Sequence, residues 1–241
     1  MIKKYLTIGE DNLANRDKWL EKTLLSVPKG TKIIDVGAGE TKYRKFCTDL
    51  QYTSQDFGQY TGTGNDEGFQ KQTWDNTKLD IISDITDIPV PNDSFDTAMC
   101  IEVFEHIPEP INALHEISRI LKPGGKLILT LPFCSQTHFA PYFFYTGFSK
   151  YWLEKYLTLS NFIDIQITPN GNWFDYIAQD LRRIHRIRDK YVREEGRWSF
   201  IIGKIVSLPV LLYMQYLNNR QNRSEELLCY GYNVTATKKT I

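Results

Sequence analysis

The stretch Ile33–Arg44, IIDVGAGETKYR, constrains this chain more than any other. It is a short apolar strand carrying an acid, two glycines one residue apart, and a polar run able to start a helix. Glycines at such a junction free the backbone to turn sharply and let a ligand approach closely. Three ligand classes use junctions of this kind. A phosphate loop ends in Gly-Lys-Ser or Gly-Lys-Thr, which is absent. The dinucleotide fingerprint requires a third glycine at position 42, where Lys42 stands. Asp35, two residues before Gly37, would oppose a pyrophosphate but suits a ligand with an ammonium group.

The periodicity around this junction alternates strand and helix. Asn12–Ser26 has helical spacing and is ended by Pro28. Strands are expected at Lys32–Val36, Gln51–Asp56, Asp80–Ser83, Asp96–Val103 and Lys126–Leu131. Between the last two, Leu114, Ile117 and Leu121 share one face of an amphipathic helix that Pro123-Gly124-Gly125 stops. Two further strands are expected at Phe162–Thr168 and Cys229–Thr237. This order predicts an α/β protein: a doubly wound, Rossmann-like, mostly parallel seven-stranded sheet with helices on both faces. A chain of 241 residues accommodates one such domain with a helical insertion. The expected division is an N-terminal helix in 1–30, a cofactor-binding core in 31–168, an insertion or lid in 169–228, and the last strand in 229–241.

Formal net charge is zero, so nothing global favours a nucleic-acid partner. The four cysteines, Cys47, Cys100, Cys134 and Cys229, are too scattered for a zinc site or a disulfide framework. They are expected to be reduced and mostly buried, and no metal site is expected. The N-terminus lacks the apolar run of a secretory signal, so a cytoplasmic protein is expected.

Taken together, DVGAGE (Asp35–Glu40), Asp56 in SQDF, Asp84 in ISDITDIP, FDTAMCIEVFEHI (Phe95–Ile107) and LKPGGKLILTLP (Leu121–Pro132) resemble class I S-adenosylmethionine-dependent methyltransferases. The resemblance runs from Lys29 to Thr168, plus the last strand. Each motif alone is weak, and their order and spacing carry the match. It implies S-adenosyl-L-methionine as cofactor. Gly37, Ala38 and Gly39 would admit its methionine part, and Asp35 would hold the ammonium directly or through water. Asp56, with neighbouring Phe57, would meet the ribose hydroxyls. Asp84, preferred over Asp87, would accept from the adenine amine while the Ile85 backbone reads the ring edge. Ile101 would pack near the adenine or sulfonium.

The acceptor is expected to be a small molecule or glycan, methylated on oxygen. The position where amino-methylating enzymes carry Asn/Asp-Pro-Pro-Tyr reads Ile101–Phe104, IEVF. Cys134 follows Pro132-Phe133 without the rest of a cytosine-carbon motif. His138 and His106 are the candidate catalytic groups, and packing roles are the alternative for both. Tyr142 and Tyr145 could shape the acceptor pocket. The segment around them resembles bacterial methyltransferases encoded among surface-polysaccharide genes. Many of those place an arginine where Phe144 stands, so an anion contact there does not carry over. The competing functions are an NAD-dependent oxidoreductase and a non-catalytic cofactor-binding protein.

The insertion first offers a helix with Ile177, Leu181, Ile184, Ile187 and Tyr191 on one stripe. It carries Arg182, Arg183, Arg186, Arg188, Lys190, Arg193 and Arg197 against Asp180, Asp189, Glu194 and Glu195. The apolar run Phe200–Leu217 follows, broken by Lys204 and Pro209 and too short for a confident membrane span. It is expected to cover the core, contact a second subunit in a homodimer, or lie with 182–217 at a membrane surface.

Overall fold

The computed structural model describes residues 6–192 and 197–240. Met1–Tyr5, Arg193, Glu194 and Glu195 therefore lie outside the described residues. The chain divides into two compact units: residues 18–168 with 231–241, and residues 1–17 with 169–230. The first seventeen residues group with residues 169–230, whereas the expected division set 1–30 apart as an N-terminal helix.

The larger unit is built on one seven-stranded sheet in the order β3-β2-β1-β4-β5-β7-β6. Its strands are β1 (Lys32–Val36), β2 (Gln51–Asp56), β3 (Ile81–Ile82), β4 (Phe95–Ile101), β5 (Leu121–Pro132), β6 (Phe162–Asn170) and β7 (Gly231–Lys238). β1 pairs in parallel with β2 and β4, as do β2 with β3 and β4 with β5. β7 runs antiparallel to β5. Three helices accompany these strands: α1 (Asn12–Leu25), α2 (Pro110–Ile120) and α3 (Lys150–Leu159).

The strand interiors explain this arrangement. Ile33, Met99, Ile101 and Ile128 pack with Leu20 and Leu24 of α1 on one face. Their alternate neighbours Ile34, Ala98, Cys100, Leu127 and Leu129 point the other way and are equally buried. A sheet apolar on both faces must be covered on both, which is why its strands are near-continuous apolar runs. α3 is started by Ser149, whose side chain accepts from the Trp152 backbone N–H.

Two local expectations are corrected. The polar run after the glycine turn gives only a 3₁₀ turn at Arg44–Phe46. β5 starts at Leu121, before the Pro-Gly-Gly expected to precede it, because β4 and β5 shift register between Phe95 and Thr97. A Cβ on Gly125 would lie 2.8 Å from the Lys122 carbonyl oxygen, so glycine there permits the irregularity.

In the smaller unit, α4 (Trp173–Tyr191) and α5 (Arg197–Asn218) pack together. Asn172 caps α4, accepting from the Phe174 and Asp175 N–H groups. Leu6, Ile8, Ala178, Leu211 and Met214 form its core, flanked by Ile177 and Leu181. Arg182 ties the N-terminal segment to α4. Its guanidinium donates to the carbonyls of Ile8 and Leu6 at 2.7 and 2.9 Å and to Glu10 at 2.6 Å.

Candidate active site

The order of the sheet places a topological switch between β1 and β4. From β1 the chain winds outward to β2 and β3, then returns to β1's other edge as β4. In open parallel sheets a crevice forms at the carboxyl ends of the strands flanking such a point. The β1 glycine turn, Asp56 at the end of β2, and the segments after β4 and β5 all lie at that edge.

The turn leaves β1 with Gly37 and Ala38 donating to the Gln55 carbonyl at 2.8 and 2.9 Å. Gly37 and Gly39 have φ of +75° and +51°, where side chains are disfavoured. A Cβ on Gly37 would lie 2.5 Å from the Val103 methyls, and one on Gly39 would lie 2.6 Å from Trp74. The glycines thus serve the protein's own packing as well as any ligand.

Asp56 braces this turn. Its Oδ2 accepts from the Gly39 N–H and its Oδ1 from the Gly58 N–H, both at 2.9 Å. Burial pushes its pKa upward, against the pull of those backbone donors. A carboxylate offers about four lone-pair sites, so the backbone donors of Gly39, Gly58 and Phe57 still leave it able to accept from a further donor. Asp35 is 2% exposed and accepts from the Tyr52 hydroxyl at 2.7 Å. Burial raises its pKa to about 7; the Tyr52 bond opposes that rise and nearby Asp56 adds to it.

The remaining candidate residues fall differently. The Phe57 ring meets the Tyr142 ring edge-on at 4.9 Å. Asp84 is exposed, and its Oδ1 accepts from the Thr86 N–H and hydroxyl at 2.8 and 2.7 Å. The Ile85 side chain is buried. Ile101 is corrected: it ends β4 and its side chain lies in the core cluster with Leu20 and Leu24. Strand alternation sends it to the α1 face, and Val103 instead meets the glycine turn.

His106 and His138 come together with a residue that sequence reasoning missed. Glu105 is 1% exposed, and its Oε1 lies 3.8 Å from His106 Nε2 and 3.9 Å from His138 Nε2. The histidine rings meet edge-to-face at 4.7 Å. His106 Nδ1–H donates to the Tyr142 carbonyl at 2.5 Å, and His138 Nδ1–H to the Gln136 carbonyl at 2.9 Å. Burial and the neighbouring His138 lower the His106 pKa to about 3. That ring is neutral at pH 7 and too weakly basic for efficient proton abstraction, so of the two candidate histidines His138 is the better placed for a base's role. Phe144 and Tyr145 N–H groups donate to the Glu105 carbonyl, fastening the β5 loop over it. The Tyr145 hydroxyl is committed to the Pro108 carbonyl at 3.0 Å.

An aromatic wall joins the two halves of the site. Phe139 lies 5.4 Å from Trp74, 4.7 Å from Tyr60 and 5.3 Å from His106, between ring centroids. Tyr60 and Trp74 also escaped the sequence analysis, since nothing in the loop after β2 signals where it packs. For Glu105 the signal was its place beside His106 in FEHIP.

A topological switch point, a glycine turn and an acid at the end of the neighbouring strand define a Rossmann-like domain. Residues 34–129 match the family described as methyltransferase domain. A ubiquinone biosynthesis O-methyltransferase from Xanthomonas oryzae is 28% identical over 104 residues, 42% of this chain and 43% of that protein. The chain spans less than half the length of the curated relatives it matches. Among solved structures, a SAM-dependent methyltransferase from Archaeoglobus fulgidus superposes with TM-score 0.57 at 14% identity, covering 95% of both chains. Phosphoethanolamine N-methyltransferase 2 of Haemonchus contortus, in complex with S-adenosyl-L-methionine, gives 0.54 at 16% identity, covering 94% of this chain and 53% of that one. Residues 34–129 thus match a methyltransferase-domain family, and the fold is the one that S-adenosylmethionine-dependent methyltransferases have.

Proposed function

We propose that the protein transfers the methyl group of S-adenosyl-L-methionine to a hydroxyl of a small molecule or glycan. One observation carries this reading. A glycine turn braced by Asp56 and a Glu105–His106–His138 cluster occupy the same edge of the sheet, joined through Phe57, Tyr142 and the aromatic wall. The turn suits the cofactor. The cluster gives an acceptor hydroxyl a place to lose its proton, which a poorly acidic oxygen nucleophile needs. The name of the Xanthomonas relative favours oxygen as the accepting atom.

Asp35, Gly37, Ala38 and Gly39 would border the methionine part, Asp56 and Phe57 the ribose, and Asp84 with the Ile85 backbone the adenine. The sulfonium leaves as a neutral thioether, so the site's tasks are alignment in line and exclusion of water. Transfer of a labelled methyl group to hydroxylated metabolites and saccharides tests the reading. Binding of NAD with no binding of S-adenosylhomocysteine would replace it with an oxidoreductase.

A second reading concerns where the protein works. No helix among the described residues is long and apolar enough to cross a membrane. On α5, Ile205, Val206, Tyr213 and Tyr216 are 65%, 62%, 62% and 52% exposed. These side chains support a peripheral membrane contact at an interfacial helix. The arginines of α4 fit headgroup binding less well than their number suggests, because Arg182 holds the N-terminal segment and Arg183 pairs with Asp180. Sedimentation with anionic vesicles, lost in Val206→Asp with Tyr213→Asp, tests the contact. Dimers by light scattering without vesicle binding would make the face a homodimer contact.

A further inference from the structure

Three side chains able to ligate a metal converge where the segments after β4 and β5 meet. One ligating atom from each of Glu105, His106 and His138 falls within 4.8 Å of the others. With Glu105 Oε1 at 3.8 and 3.9 Å from the two Nε2 atoms, a centre equidistant from all three lies no more than about 2.5 Å from each. Metal–nitrogen bonds of about 2.0–2.2 Å are then reached by shifts of a few tenths of an ångström.

The anchoring of the imidazoles is an independent observation pointing the same way. The two histidines come from different loops, yet each donates Nδ1–H to a backbone carbonyl. That bond fixes the tautomer, puts the lone pair on Nε2, and aims both Nε2 atoms at one carboxylate. Histidines that bind metals are oriented in this manner by their outer-shell partners.

We propose that Glu105, His106 and His138 bind a divalent first-row metal ion with coordination positions left open for the acceptor hydroxyl. Two imidazoles and one carboxylate favour this class over calcium and magnesium, which prefer oxygen ligands throughout. The ion's chemical role, though not its binding, rests on the methyl-transfer reading. A hydroxyl bound to the ion releases its proton to solvent near neutral pH, as metal-bound water does. The oxygen lone pair then forms the new O–CH₃ bond while the S–CH₃ bond breaks and its electron pair returns to sulfur. An oxyanion and a sulfonium become an ether and a thioether, so charge balances with no further reactant. His138 in this arrangement is a ligand and not the general base.

The test uses the untagged 241-residue chain, stripped with a chelator and dialysed. It is titrated with Co²⁺, Zn²⁺, Mn²⁺ and Mg²⁺ by calorimetry, with visible absorption for cobalt. One equivalent of Co²⁺ or Zn²⁺ is expected, with a ligand-field band of a nitrogen- and oxygen-bound ion. Glu105→Gln and His138→Gln should each weaken Co²⁺ binding by more than about a hundredfold, beyond the loss typical of an outer-shell partner. His115→Gln, on the exposed side of α2, should not. Retained S-adenosylhomocysteine affinity reports that the variants are folded. Should they unfold, the wild-type cobalt spectrum decides alone. No ion bound at millimolar concentration, or equal binding by all variants, overturns the site. Methyl transfer indifferent to chelation with no metal uptake would return His138 to the role of base. Metal uptake with no methyl transfer to any acceptor would defeat the methyl-transfer reading and leave the site standing.

Discussion

Replacing Asp35 by Asn should stabilise the protein, and the gain should grow with pH. Asp35 is 2% exposed, and burial lifts its pKa from 3.8 to about 7 despite the hydrogen bond from Tyr52. A folded pKa above the unfolded one means that the native state holds the proton more tightly. The associated stability is full below pH 4 and is lost as pH rises through 7. A shift of about three units corresponds to about 4 kcal/mol at pH 8, of which roughly 2 kcal/mol is already lost by pH 5. Asn keeps an oxygen to accept from Tyr52 and carries no charge, so the variant escapes this penalty. Urea unfolding of both proteins from pH 5 to pH 8 reads the gap. A gap that does not widen by at least about 1 kcal/mol across that window, or an Asn variant less stable at pH 8, would refute an ionisation cost at Asp35.

Asp56→Asn should weaken S-adenosylhomocysteine binding by roughly 10- to 150-fold, since hydrogen bonds to a charged acceptor contribute about 1.5–3 kcal/mol; an unchanged dissociation constant by calorimetry would remove Asp56 from the ribose site. Arg182→Gln should release residues 6–10 from α4, because one guanidinium holds two of their carbonyls and Glu10. Hydrogen exchange over Leu6–Glu10 should accelerate, and unaltered protection would show that Ile8 packing alone suffices.

The parts of the fold legible in the sequence were those set by local pattern. β1 falls at Lys32–Val36, as its apolar run indicates, and β2 at Gln51–Asp56, as expected although its sequence is polar. β5 extends further back because a glycine inside an irregular pairing looks, in sequence, the same as a glycine ending a helix. The stripe on α4 was visible, but not what covers it. Leu181 packs into the small unit's core while Ile184 and Tyr191 stay 48% and 58% exposed. Periodicity identifies an apolar face and says nothing of its partner. In the site, Asp56 and the glycines were legible because strand, turn and acid are close along the chain. Glu105 and His138 are 33 positions apart (138 − 105) and meet only because β4 and β5 are adjacent in the sheet.

The position of Asp35 leads to one more consequence if the cofactor's ammonium settles beside the glycine turn. Near pH 7 about half of the Asp35 carboxyl groups retain a proton, given a pKa of about 7. A positive charge within a few ångströms favours the ionised form and lowers that pKa. Binding of S-adenosylhomocysteine, which retains the amino group but lacks the sulfonium charge, should therefore expel up to about half a proton at pH 7 and almost none at pH 9 from this carboxyl. Calorimetric titrations at pH 7 in buffers of different ionisation enthalpy measure the release directly. The same titrations on Asp35→Asn assign it, since that variant has no proton to lose at this position. Identical heats in all buffers for the wild-type protein would place the ammonium away from Asp35, and the acid before the glycine turn would then act through Tyr52 and the packing of β1 alone.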